Sequence, residues 1–149
     1  MKRKNHKAAH GSHDRVPGAT PYFQTDSGAA YLGESRELLR RLPDDSIDLI
    51  MTSPPYALHF KKEYGNESQA DYVAWFLEFA REFHRILANT GSLVIDIGGA
   101  WTPGKPTRSL YHFELLIALC RESGFHLAQE FYWYNPAKLP SPAEWVTVR

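Results

Sequence analysis

The chain has 149 residues, the size of one compact domain and too short for a large multidomain machine, because domains usually take roughly 100–200 residues. Apolar residues at 43% and charged residues at 23% favour a packed globule over a disordered chain. No apolar run approaches the roughly 18 residues that a bilayer requires, and MKRKNHKAAHGSHDR at the N-terminus has no apolar secretory core, so a soluble, cytoplasmic protein with no membrane contact is expected.

The formal net charge of zero hides an asymmetry. Residues 1–20 carry Lys2, Arg3, Lys4, Lys7 and Arg15 against Asp14, which leaves 12 basic and 16 acidic groups for the rest. This segment has no hydrophobic period and reads as a disordered basic tail, with the folded part over 21–149. A basic arm raises affinity for nucleic acid by releasing counterions; a solvated leader, or a start codon assigned too early, is the competing reading. Cys120 stands alone and the seven histidines lack ligand spacing, so neither a disulfide nor a metal centre is expected.

Tyr31-Leu32 reads as a short strand and Gly33-Glu34-Ser35 as a turn, with Ser35 capping a helix through Leu42 that Pro43 stops. A strand over Ser46–Thr52 then runs into Ser53-Pro54-Pro55-Tyr56, whose prolines cannot donate ladder hydrogen bonds. From Asp71 to Ala88, apolar residues recur every three or four positions (Tyr72, Phe76, Phe79, Phe83, Ile86 and Leu87), which predicts an amphipathic helix whose aromatics belong to the core. Asn89-Thr90-Gly91 closes it. The near-continuous run Ser92–Ile97 predicts a buried parallel strand ending in Asp96 and Ile97, followed by a Gly98-Gly99 loop. A second helix is expected over Leu110–Ser123, ended by Gly124, then a strand over Phe125–Tyr134 and an extended, Pro-rich end. Strand, helix and strand in this order predict an α/β fold with parallel strands, in which ligands sit at the carboxyl ends of the strands.

That rule directs attention to Thr52–Tyr56 and Asp96–Gly99. An exocyclic amine on a planar base is a poor nucleophile, because its lone pair is conjugated into the ring. A Ser53 oxygen and the Pro54 carbonyl can accept its two hydrogens, draw the nitrogen towards tetrahedral geometry and leave the lone pair to attack a methyl sulfonium. The prolines hold the acceptors pre-aligned, and Tyr56 can stack on a base that has left its duplex. If the two strands are neighbours, Asp96 can accept the Ser53 hydroxyl proton and strengthen that oxygen as an acceptor. The alternative for Asp96 is a cap on the following loop.

The Ser53-Pro54-Pro55-Tyr56 motif resembles that of DNA amino-methyltransferases. Together with Tyr31–Ser35, Leu42–Ile50, Lys62–Asn66, Val94–Ala100 and Phe131–Pro142, it makes Tyr22 to Arg149 similar to the N-terminal part of the PvuII-type DNA cytosine-N4 methyltransferases of restriction–modification systems. The resemblance implies part of a class I, Rossmann-like methyltransferase sheet with flanking helices. It also implies methyl transfer from S-adenosylmethionine to N4 of a flipped cytosine in double-stranded DNA, with Ser53, Pro54, Pro55, Tyr56 and Asp96 as catalytic residues and no metal. Gly33, Glu34 and Ser35 would line the adenosine end of the cofactor, Glu34 standing where the family usually has Asp. Lys61, Lys62 and Lys138, with Lys105 and Arg108, would touch phosphates, against the reading of ordinary solvated surface.

In that family a target-recognition region and a glycine-rich cofactor loop follow the catalytic motif. Asp96-Ile97-Gly98-Gly99 does not fit that loop, because Trp101–Pro106 does not continue as a helix. The resemblance therefore implies the catalytic-motif part of a methyltransferase domain, a fragment or one chain of a split enzyme whose cofactor half a second chain would supply, and no methylation by this chain alone. The competing functions are an adenine-N6 DNA enzyme, a protein-glutamine or RNA methyltransferase, and an inactive remnant that binds DNA through its basic arm.

Overall fold

The computed structural model describes residues 16–57, 65–134 and 136. It divides into two compact units, Met1–Pro43 and Asp44–Arg149, each considered by itself.

In the first unit, β1 (Phe23–Gln24) and β2 (Ala29–Ala30) form an antiparallel hairpin. Its turn is closed by Thr25, whose amide donates to the Gly28 carbonyl at 2.7 Å and whose hydroxyl accepts from the Gly28 amide at 3.0 Å. Tyr31-Leu32, expected as a strand, lies just past the hairpin and is not one. The helix α1 covers only Ser35–Leu39, and its cap is Glu34, not Ser35: the Glu34 carboxylate accepts from the Arg36 amide at 3.2 Å. The chain leaves α1 in a tighter turn, Arg41 and Leu42 donating to carbonyls three residues back, so the helix stops before Leu42. Of the basic tail, residues 16–20 make a turn in which Val16 is buried and the Gly18 carbonyl accepts from Arg41 at 2.8 Å.

The second unit opens with β3 (Ile47–Thr52), crosses over through α2 (Tyr72–Ile86) and returns in β4 (Leu87–Ile95), which pairs parallel to β3. Both strands are expected from the sequence, and the adjacency on which the reading of Asp96 depends is present. Asn89-Thr90-Gly91, expected to separate helix from strand, lies inside β4 instead. Ile47 pairs with Leu87, and two residues later Leu49 pairs with Ser92, so the small and polar residues are taken up as a bulge. The strand stops at Ile95, short of Ile97, although the Asp96 amide still donates to the Thr52 carbonyl at 2.9 Å. A loop with an isolated bridge from Trp101 to Arg108 leads to α3 (Tyr111–Glu122).

The core sits between α2 and α3. Tyr72, Phe76, Phe83 and Ile86 of α2 meet Tyr111, Leu115, Ala118 and Leu119 of α3, all at most 7% exposed, and the Tyr72 and Tyr111 rings meet edge-on with centroids 4.8 Å apart. Burying each large side chain contributes about 1.5–3 kcal/mol, which makes this helix pair the anchor of the unit. At the start of the unit, Arg85 reaches Asp44 at 2.6 Å and Glu82 at 2.8 Å.

The stretch Phe125–Tyr134 is not a strand in the structure. Its apolar and aromatic residues satisfy the compositional rule, but a strand requires a ladder partner, and among the described residues none pairs with it. Phe131, Tyr132, Trp133 and Tyr134 are each at least 80% exposed. Parallel sheets are normally covered on both faces, yet Leu49, Met51 and Val94 are also exposed.

Candidate active site

The site of the second unit lies where β3 and β4 end side by side. The register pairs Thr52 with Ile95, so the next residues, Ser53 and Asp96, emerge together. The Ser53 hydroxyl donates to Asp96 Oδ2 at 3.4 Å, a long contact between exposed side chains. This is the approach expected of adjacent parallel strands, and it leaves the Ser53 lone pairs directed away from the carboxylate. Pro54 is buried, Pro55 and Tyr56 are half-buried and Ala57 is fully buried. The turn is thus anchored at two points while Ser53 stays open to solvent.

Gly98 explains how Tyr56 fits against the second loop. A Cβ at position 98 would lie 2.8 Å from Tyr56 Cε2 and 3.1 Å from Cδ2, closer than carbon atoms approach without repulsion. The ring therefore rests where only a glycine backbone leaves room. Tyr111 donates its hydroxyl to the Gly98 carbonyl, and Gln69 Nε2 donates to the carbonyls of Ala57 at 3.1 Å and Trp101 at 2.7 Å. Sequence reasoning missed both residues. Tyr111 looks like an ordinary aromatic of a helix core, and Gln69 precedes a helix in a polar stretch with no pattern.

Around the loop, Arg108 stacks over the Trp101 ring, 5.0 Å from its centroid, and the loop turns at Gly104, φ +69°, which holds Lys105 exposed. His112 lies against Gly99. Burial, reinforced by the nearby Arg108 guanidinium, holds its imidazole below the usual range. Lys61, Lys62 and Lys138 lie outside the described residues.

The first unit has its own candidate site, a depression of about 380 Å³ lined by residues that include Tyr31, Leu32, Gly33, Glu34, Leu38 and Arg41. Its volume is that of a small-molecule pocket. Ser35 does not line it. The Arg36 backbone amide bonded to Glu34, and then the Arg36 side chain, hold the carboxyl below the usual carboxylate range, so it stays charged. Among the described residues no group of histidine, cysteine and carboxylate side chains could hold a metal ion, and no helix is long and apolar enough to cross a membrane.

Comparison with known proteins identifies the lineage. The chain is 54% identical over 132 residues to the type II methyltransferase M.PvuII of Proteus hauseri, covering 89% of this chain and 39% of that protein. It is 32% identical over 133 residues to the type II methyltransferase M.SfiI of Streptomyces fimbriatus, covering 76% and 31%. Among solved structures, the PvuII DNA methyltransferase (cytosine-N4-specific) superposes with a TM-score of 0.74 at 53% identity, over 87% of this chain and 46% of that one. The chain thus spans less than half the length of these relatives, and it shares the α/β fold of the methyltransferase it superposes on. Residues 47–148, which include the Ser53–Tyr56 turn and Asp96, match the DNA methylase family N6_N4_Mtase, and the chain belongs to that family.

Proposed function

We propose that these residues form the amine-binding part of a DNA cytosine-N4 methyltransferase of a restriction–modification system, acting on double-stranded DNA in the cytoplasm. The observation that carries the reading is the Ser53–Asp96 contact at the ends of two paired parallel strands, beside a Pro-Pro-Tyr turn. Asp96 takes the Ser53 hydroxyl hydrogen, and Ser53 Oγ and the Pro54 carbonyl accept the two hydrogens of a flipped cytosine amine. That withdraws the lone pair from the ring, and Tyr56 carries the base face. When bound, S-adenosylmethionine would supply the methyl group from its sulfonium sulfur, which keeps the bonding electron pair and leaves as a neutral thioether. Once N4 has gained the methyl group, the nitrogen holds a surplus proton, which passes to Ser53 and Asp96 or to water. Gly33 and Glu34, which line the depression of the first unit, would hold the adenosine end of that cofactor with the adjoining Ser35. The glycine-rich cofactor loop comes from further sequence of the same protein or from a second chain. Lys105, with Lys61, Lys62 and Lys138, supplies phosphate contacts.

The test exchanges this chain for the matching stretch of the Proteus hauseri relative, incubates the chimera with DNA and methyl donor, and identifies the modified nucleoside after digestion. N4-methylcytosine is expected. N6-methyladenine would replace the proposal with the adenine enzyme, and unmodified DNA from a folded chimera would reduce the chain to a remnant.

A further inference from the structure

The loops after β3 and β4 carry the residues of the proposed reaction, but the strand ladder joins them only as far as the bond from the Asp96 amide to the Thr52 carbonyl. Past that point, two side chains from elsewhere tie them together. Tyr111, the first residue of α3 and 1% exposed, donates its hydroxyl to the Gly98 carbonyl, and the Tyr111 oxygen in turn accepts from the Ala57 backbone amide. Gln69, just ahead of α2, spends its carboxamide nitrogen on the Ala57 and Trp101 carbonyls. One hydroxyl and one amide thus each bridge a residue adjoining Tyr56 to a residue of the Gly98–Trp101 loop.

Burial alone does not demand this arrangement. Tyr72 packs against Tyr111, is equally buried, and its hydroxyl has no partner among the described residues. A core tyrosine here can leave its hydroxyl unused; Tyr111 directs its own to both loops. We infer that Tyr111 and Gln69 are positioning residues for the amine-binding turn: by bridging the two loops they keep Tyr56 against Gly98 and Ser53 within reach of Asp96. The inference rests on the reading of Ser53–Tyr56 as that turn. A loosened tie lets the two halves of the site drift by fractions of an ångström, and displacement of that order costs about tenfold to a hundredfold in turnover, while DNA contacts elsewhere persist.

The test compares Tyr111→Phe, which keeps the ring, with Tyr72→Phe, which removes the unpartnered hydroxyl nearby. In the full 149-residue chain, amide hydrogen exchange at Ala57 is expected to accelerate in Tyr111→Phe and not in Tyr72→Phe. In the chimera with the Proteus hauseri relative, Tyr111→Phe should lower kcat about tenfold or more with KM for DNA within about threefold, whereas Tyr72→Phe should keep parental kcat. A merely structural role would lower the melting temperature and leave kcat below it unchanged. Parental kcat in Tyr111→Phe, or unaltered exchange at Ala57, overturns the inference. If the unsubstituted chimera methylates nothing, the functional reading fails, and exchange at Ala57 still decides whether the tie exists. Should Tyr111→Phe not fold, Gln69→Leu carries the test, with the same loss of kcat expected and parental turnover refuting it.

Discussion

Replacing Gly98 by alanine separates the geometry of the site from the stability of the fold. Gly98 is not among the glycines with positive φ, so its backbone accepts an L side chain, and the three atoms nearest the added Cβ all belong to one ring: Tyr56 Cε2 at 2.8 Å, Cδ2 at 3.1 Å and Cζ at 3.4 Å. Ordinary carbon contacts lie near 3.5–4.0 Å, so the near edge of the ring must retreat by about 0.7–1 Å. Tyr56 is half-buried and can yield outward, towards the space a stacked base would occupy. A shift of that size costs about tenfold to a hundredfold in kcat. Stability should move little, because losing glycine's freedom in the unfolded chain contributes about 0.4–1 kcal/mol in the other direction. Gly99→Ala is the control. Its Cβ meets the Arg108 Nη2 and His112 Cε1 atoms, each at 3.2 Å, and the exposed Arg108 end can swing aside, so the change in kcat should stay under about threefold. The assay is methyl transfer to duplex DNA by the chimera, with thermal unfolding measured in parallel. Parental turnover in Gly98→Ala would show that Tyr56 need not rest on the glycine backbone, and the reasoning would fail.

Other outcomes follow from the core and its edges. Phe76→Ala, at a ring 2% exposed and surrounded by Tyr72, Trp75, Phe79 and Phe83, should cost about 3–5 kcal/mol in urea unfolding; a loss below about 1 kcal/mol would mean that this cluster is not the anchor. His112 has its folded pKa held below the ordinary 6.5, so the unfolded chain binds the proton more readily. Its contribution to stability is complete above that value and is lost as pH falls below it towards the folded pKa. His112→Gln should flatten urea midpoints across that window, and an unchanged slope would contradict the assignment. Met51→Lys, on the uncovered sheet face at 75% exposure, should reduce self-association of the 149-residue chain in light scattering without lowering its melting temperature; undiminished association would place the sticky surface elsewhere.

What was legible in the sequence had a period or a fixed chemical signature. Of the α2 aromatics that repeat every three or four residues, Tyr72, Phe76 and Phe83 are buried as that spacing demands and Phe79 is half-buried, and the apolar runs of β3 and β4 find each other. Their adjacency brought Ser53 and Asp96 together. Where the reading failed, the deciding partner was distant or the signal short. Phe125–Tyr134 has strand composition without a ladder partner among the described residues. The β1–β2 hairpin has strands of two residues, too short for alternation to register, although Thr25-Asp26-Ser27-Gly28 carries turn chemistry. Glu34 took the cap from Ser35 because its longer side chain reaches the Arg36 amide, which no rule of residue preference anticipates. The Gln69 bridge joins loops 12 and 32 residues away and left no local trace.

The central claim is that Ser53 and Asp96 act on the amine as one unit, and a double-mutant cycle measures that directly. Ser53→Ala, Asp96→Asn and the double variant would be made in the chimera, with kcat for methyl transfer read for each. If Asp96 works through the Ser53 hydroxyl, the double variant should be no slower than about threefold below the slower single variant. If the two losses simply multiply, the residues act independently and the contact between them is incidental to the chemistry.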